Sequence, residues 1–169
     1  AMSIFAGNLR GGVAVQTVIV AVIMAAMSGI MGGEIVMLGL VALPQMLRLG
    51  YDRKLSIGTI CAGGSLATLI PPSIIMIVYG LSAQVSIGDL FMAGALPGLL
   101  LASFYIIYVL IRCYLNPSLA PTASEVAAQG HVEQKLSSNR SVAVGLSILL
   151  IACVMGSIYG GIASVTEAA

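Results

Sequence analysis

The sequence predicts an all-α membrane protein with a re-entrant helical hairpin, a transmembrane helix broken by prolines, and further transmembrane helices. The observations behind this are a composition of 59% hydrophobic and 8% charged residues, long uncharged runs, and glycine and proline clusters inside those runs. A soluble domain normally carries about 25% charged residues, so this composition indicates a lipid-facing surface. The net charge of +1 gives no electrostatic basis for nucleic-acid binding.

The predicted hairpin covers residues 12–47 and turns where Gly29, Gly32 and Gly33 interrupt an uncharged stretch. Glycine reaches positive φ at little cost, so this cluster predicts a turn. Residues 35–47 would reach only about 20 Å as a helix, whereas a hydrocarbon core is about 30 Å thick. We therefore expect the chain to enter the membrane and return to the side from which it came.

Glu34 is the acidic residue that this hairpin would place at membrane depth. We expect it in the first turn of the returning helix, where the helix dipole favours a carboxylate. An acid at such depth is a functional hypothesis by default, and its predicted role is charge balance or hairpin stability. The alternatives are a neutral carboxyl group and a carboxylate that glycine N–H groups cap.

The second predicted break lies in an uncharged run, residues 55–88, that is too long for one helix and contains Pro71 and Pro72. Proline has no N–H, so these two residues leave the carbonyls of Ala67 and Thr68 without their helical donors. Residues 55–84 are therefore predicted to form a broken transmembrane helix.

The end of the interrupted helix should expose further carbonyls, including that of Ile70, at its negative pole. Several free carbonyls there would suit a small cation. The alternative is a simple kink whose carbonyls bond neighbouring helices or Thr68. The residues expected to shape this break are Gly63, Gly64, Thr68, Pro71 and Ser73.

The remaining chain divides by charge. Residues 1–112 are predicted to be half of a transport domain that ends in a transmembrane helix over 89–112. A cytoplasmic polar arm over 113–140 and a transmembrane helix with the start of the next element over 141–169 follow. With this topology the seven basic residues lie on one side, which the positive-inside rule makes cytoplasmic.

Chemical motifs are sparse. His131 is the single histidine, and no nucleophile–base set or phosphate-binding loop can be assembled, so no catalytic residues and no enzyme activity are predicted. No metal site beyond the cation site is predicted. The spacing of Gly94 and Gly98 suits close helix packing.

Four stretches of the sequence resemble the large membrane subunit of TRAP (tripartite ATP-independent periplasmic) transporters, the DctM-like family. They are residues 43–52, 58–80, 86–98 and 160–169. In the last stretch Val165 stands where the family usually has proline. The resemblance covers nearly the whole chain except the polar arm at about 116–139.

This resemblance implies a sodium-coupled, elevator-type importer of organic acids such as C4-dicarboxylates, in the bacterial inner membrane as a multi-pass protein. It implies two inverted repeats, of which this chain is most of the first. The implied partners are the lipid bilayer, the missing second half, a small membrane subunit and an extracytoplasmic solute-binding protein. Sodium is the coupling ion, with no other cofactor. By position, the Ser28 side chain and the carbonyls of Ala67, Ile70 and Pro72 would bind it.

Two other classes of protein stay open. One is a binding-protein-independent anion carrier of related fold, which an uptake assay without the binding protein would distinguish. The other is a passive channel or a scaffold membrane protein. A channel would conduct without a sodium gradient. An intramembrane enzyme is a more distant alternative.

Overall fold

The computed structural model describes residues 11–121 and isolated helical positions between 145 and 156. Within residues 11–121 the chain is helical, without strands, which confirms the all-α prediction for this part. The α-helices are α1 (Gly12–Ser28), α2 (Met31–Arg48), α3 (Arg53–Ser65), α4 (Ile74–Ala83) and α5 (Ile87–Leu115). Short 3₁₀ helices cover Leu66–Thr68 and Pro117–Leu119. Most of the polar arm and of the last predicted transmembrane helix lie outside the described residues.

Helices α1 and α2 form an antiparallel hairpin with a turn of only two residues. Gly29 adopts the left-handed conformation at φ 59°, its N–H bonds the carbonyl of Ala25 at 3.1 Å, and Ile30 is extended. Gly32 and Gly33 lie in the first turn of α2, so the prediction that they belong to the turn is wrong. A single left-handed residue is enough to reverse the chain, and the helix restarts at once.

The α-helical structure is interrupted between α3 and α4, where the two prolines predict an interruption. Helix α3 ends at Ser65, one 3₁₀ turn follows, and residues 69–73 are not helical before α4 begins at Ile74. Helix α3 ends before the prolines. Near its end, the hydroxyl of Ser65 donates to the carbonyl of Ala62 at 2.7 Å, and the hydroxyl of Thr68 donates to the carbonyl of Ser65 at 2.8 Å. Such short-range side-chain bonds compete with the backbone bonds of an α-helix.

Four helix ends, including the start of α3, meet at one end of the bundle, which we call the basic end. Its buried cluster joins the start of α1, the end of α2 and the end of α5 through Ala14, Met46 and Cys113. The cluster includes Tyr51, whose hydroxyl accepts the N–H of Val13 at 3.2 Å. Burial raises the pKa of this hydroxyl.

Four basic residues of the described part of the chain lie together at the basic end. Arg48, Arg53, Lys54 and Arg112 lie at helix ends that meet at the basic end, whereas Asp89 lies in the first turn of α5, at the other end of that helix. The other basic residues lie outside the described part of the chain.

Only α5, among the described helices, is long and apolar enough to cross a membrane, with a mean hydropathy of 2.1 over its best window. Helices α1 and α4 are apolar but shorter, at 17 and 10 residues. At 1.5 Å per residue, α1 extends about 25 Å, somewhat less than the thickness of a hydrocarbon core.

Candidate functional site

The two breaks in the helical chain are in direct contact. A Cβ atom built on Gly29 would lie 2.5 Å from the carbonyl oxygen of Pro72 and 3.3 Å from the Cα of Ser73. No real side chain tolerates the first distance, so glycine is required at the tip both by this approach and by its positive φ. The turn of the hairpin therefore lies against the non-helical segment, which we call the break (residues 69–73).

A second close approach holds the hairpin against α3. A Cβ on Gly64 would lie 3.2 Å from the backbone nitrogen of Ile35, and one on Gly63 would lie 2.9 Å from the Cβ of Ala21. Both glycines lie inside α3, before the break begins. They therefore allow α1 and α2 to approach α3, and the expectation that they shape the break itself is wrong.

Helix α5 covers the break from another direction. A Cβ on Gly94 would lie 3.0 Å from the carbonyl oxygen of Leu69, and one on Gly98 would lie 3.5 Å from the nitrogen of Ile70. The glycine spacing in the sequence indicated close packing, and the structure shows that the packing partner is the break. Residues 69–73 thus lie between the hairpin tip and the glycine face of α5.

The carbonyl groups around the break lack donors. The N–H groups of Leu69 and Ile70 both bond the carbonyl of Leu66, at 3.0 and 2.9 Å, and the two prolines have no N–H to donate. Within residues 11–121, no backbone N–H outside the regular helices bonds the carbonyls of Ala67, Ile70 or Pro72. Ala67 and Ile70 are buried, whereas Pro72 is half-buried.

Two buried side chains near these breaks also lack partners. Within the part of the chain that the structure describes, the Ser73 hydroxyl is fully buried and makes no hydrogen bond, and both carboxyl oxygens of Glu34 are also buried without a partner. Sequence reasoning assigned Ser73 to the shape of the break and missed its hydroxyl as a candidate ligand. The available signal was a hydroxyl residue directly after two prolines.

Glu34 lies in the first turn of α2, as predicted. Its backbone N–H bonds the carbonyl of Ile30 at 3.2 Å, but neither side-chain oxygen accepts a hydrogen bond. The alternative in which glycine N–H groups cap the carboxylate is therefore wrong.

The predicted site residues thus fall into two groups. The structure brings together Gly29, Pro72 and Ser73, with Ala67 and Ile70 in the adjoining core cluster. It leaves Ser28, Gly32 and Gly33 exposed in this part of the protein. The Thr68 hydroxyl already donates to the Ser65 carbonyl.

Comparison with known proteins identifies the family. The family described as "Tripartite ATP-independent periplasmic transporter, DctM component" matches residues 1–169. The chain belongs to the DctM family. The family consists of components of transporters, which confirms the prediction that the chain is not an enzyme.

Several curated DctM relatives are similar along nearly the whole chain. The C4-dicarboxylate TRAP transporter large permease protein DctM of Pseudomonas aeruginosa is 37% identical over 165 residues, which cover 96% of this chain and 36% of the relative. The ectoine TRAP transporter large permease protein TeaC of Halomonas elongata is 38% identical, covering 98% and 37%. The isethionate TRAP transporter permease protein DctMQ of Oleidesulfovibrio alaskensis is 34% identical, covering 96% and 25%.

The chain therefore spans about a third of the length of DctM of P. aeruginosa and of TeaC of H. elongata. No solved structure matches the chain.

Proposed function

We propose that this chain is part of a DctM large permease that imports small organic acids by sodium-coupled alternating access. Membership in the family supports the transporter class, and the solutes in the names of two relatives, C4-dicarboxylates and ectoine, support small organic solutes. The observation that carries the proposal is the contact between the Gly29 turn and the Pro72 carbonyl, beside oxygens that no donor satisfies.

Sodium would bind between the hairpin tip and the break. The proposed ligands are the carbonyls of Ala67, Ile70 and Pro72 and the hydroxyl of Ser28, and we include the Ser73 hydroxyl because it is buried without a partner among the described residues. Neutral oxygens at the negative end of a helix suit a hard, singly charged cation. The buried Ser73 hydroxyl without a partner fits this assignment, because a bound cation would satisfy it.

The placement in the membrane is part of the same proposal. We place the basic end on the cytoplasmic side of the bacterial inner membrane, with the α1–α2 hairpin re-entrant and its tip at membrane depth. The length of α1, about 25 Å, supports the re-entrant hairpin. The basic residues at one end support the orientation. The chain would be most of the first of two inverted repeats. The domain that contains it would move as an elevator against a scaffold.

The proposed partners are the second half of the subunit, a small membrane subunit, an extracytoplasmic binding protein and the bilayer. The test is uptake of organic acids into proteoliposomes that hold the full-length parent and its small subunit, measured with and without sodium and the binding protein. Ser73→Ala should raise the half-saturating sodium concentration about fivefold, because it removes one oxygen worth roughly 1 kcal/mol.

Ser82→Ala is the matched control, because the Ser82 hydroxyl is exposed and bonds the Val78 carbonyl of its own helix at 2.8 Å. It should leave the sodium dependence unchanged. Uptake that does not depend on sodium would contradict the proposed sodium coupling. Uptake that needs no binding protein would favour the independent anion carrier, and conduction without a sodium gradient would favour a channel.

A further inference from the structure

Glu34 is a buried acidic side chain that is not among the proposed sodium ligands. It is 1% exposed, and neither carboxyl oxygen has a hydrogen-bond partner. Glu34 directly precedes Ile35, whose backbone nitrogen would lie 3.2 Å from a Cβ built on Gly64, so the start of α2 packs closely against α3.

No charged group in the described residues is placed to compensate a carboxylate at this position. Helix α1 and the 3₁₀ turn Leu66–Thr68, which both pack against α2, contain no ionisable side chain. The basic residues of α3 are Arg53 and Lys54, which lie at the basic end, about 15 Å along the helix from Gly64.

The remaining charges are equally remote. Arg48 is at the far end of α2 itself, and Asp89 and Arg112 of α5 are both exposed. Removing an ionised carboxylate from water without a counter-charge is far more unfavourable than burying the neutral acid. The dipole at the start of α2 offsets only a small part of that difference.

We propose that Glu34 is a proton-binding site, whose carboxyl group holds a proton while the hairpin packs against α3 and exchanges it with water when the hairpin opens. The ligand is the proton itself, bound to one carboxyl oxygen. The proton site rests on the burial of Glu34 and not on the proposed sodium ligands, so it does not require the sodium proposal to hold.

The test is the pH dependence of thermal stability of the full-length parent with its small subunit in detergent, from about pH 5.5 to about pH 8.5. Unfolding exposes Glu34 as an ordinary glutamate, which releases the proton at these pH values. The wild-type protein should therefore lose stability as pH rises, relative to Glu34→Gln, which cannot ionise. Each pH unit should lower the relative folded-to-unfolded ratio by up to about tenfold.

Asp89→Asn is the control, because Asp89 is an exposed acid in the first turn of α5. It should keep the wild-type pH slope. Parallel slopes for wild type and Glu34→Gln would overturn the proton site. They would leave the sodium proposal intact, just as sodium-independent uptake would leave the proton site intact.

Glu34→Met covers the case in which the glutamine variant does not fold. A protonated carboxyl without hydrogen bonds can be replaced by an apolar side chain of similar volume, so Glu34→Met should fold and lack the wild-type slope. If neither variant folds, the fold requires a charged carboxylate, and the proposal is wrong.

Discussion

The two ends of the described bundle differ in whether their buried polar side chains are hydrogen-bonded. At the basic end, the hydroxyls of Thr17 and Ser56 donate to the backbone carbonyls of Val13 and Asp52 at 2.9 Å, and the Tyr51 hydroxyl accepts a backbone N–H. At the other end, where the Gly29 turn meets the break, Glu34 and Ser73 are as deeply buried, yet neither side chain has a hydrogen-bond partner among the described residues.

Under the proposed function, this difference separates a structural end from an ion-binding end. Buried polar groups with complete hydrogen bonding fix one arrangement of the chain, whereas buried groups without partners are unfavourable unless a ligand completes them. We therefore expect substitutions at the tip to change ion dependence, and substitutions at the basic end to change stability alone.

The largest effect should follow Gly29→Ala. Its new Cβ would lie 2.5 Å from the Pro72 oxygen, on a backbone with φ 59°. We expect sodium-driven uptake to be almost abolished, together with a stability loss of about 2–3 kcal/mol. Gly58→Ala is the control, since a Cβ there meets nothing within 4 Å. Normal uptake by Gly29→Ala would show that the tip does not need this contact.

A smaller effect should follow Gly94→Ala on the other side of the break. The added methyl group would meet the Leu69 oxygen at 3.0 Å and the flexible end of Met76 at 2.5 Å, so Met76 can move and the carbonyl must shift. We expect the half-saturating sodium concentration to rise roughly threefold in the uptake assay, about 0.7 kcal/mol. Gly88→Ala on the same helix should behave as wild type, because its nearest neighbour is 3.8 Å away.

The smallest effect on transport should follow Tyr51→Phe at the basic end. It removes the acceptor of the Val13 N–H and should destabilise the protein by about 1 kcal/mol, which a lowered apparent melting temperature would report. The half-saturating sodium concentration should stay at the wild-type value. A changed sodium dependence in this variant would remove the distinction between the two ends.

The sequence predicts those features that depend on local chemistry. Two adjacent prolines without N–H groups break a helix wherever they occur, and a glycine after an apolar helix permits a left-handed turn, so the break and the turn at Gly29 were both predictable. Sequence could not show that Gly32 and Gly33 continue as helix, because composition does not set the length of a turn.

Contacts between distant positions were not predictable in the same way. The glycine spacing in α5 indicates close packing, but only the structure shows that Gly94 faces Leu69 across the fold. The Ser73 hydroxyl and the Glu34 carboxyl show the same limit, since their lack of partners depends on every helix around them.

The glycine contacts of the break have a consequence for the gene. Every single-base missense change in a glycine codon adds at least a Cβ atom, so the codons of Gly29 and Gly94 have no conservative neighbour in the genetic code. The codons of Gly39 and Gly58 specify glycines with open space around them in this part of the chain. Spontaneous missense variants should therefore disappear from the first pair of codons under selection for growth on the transported solute, and accumulate in the second.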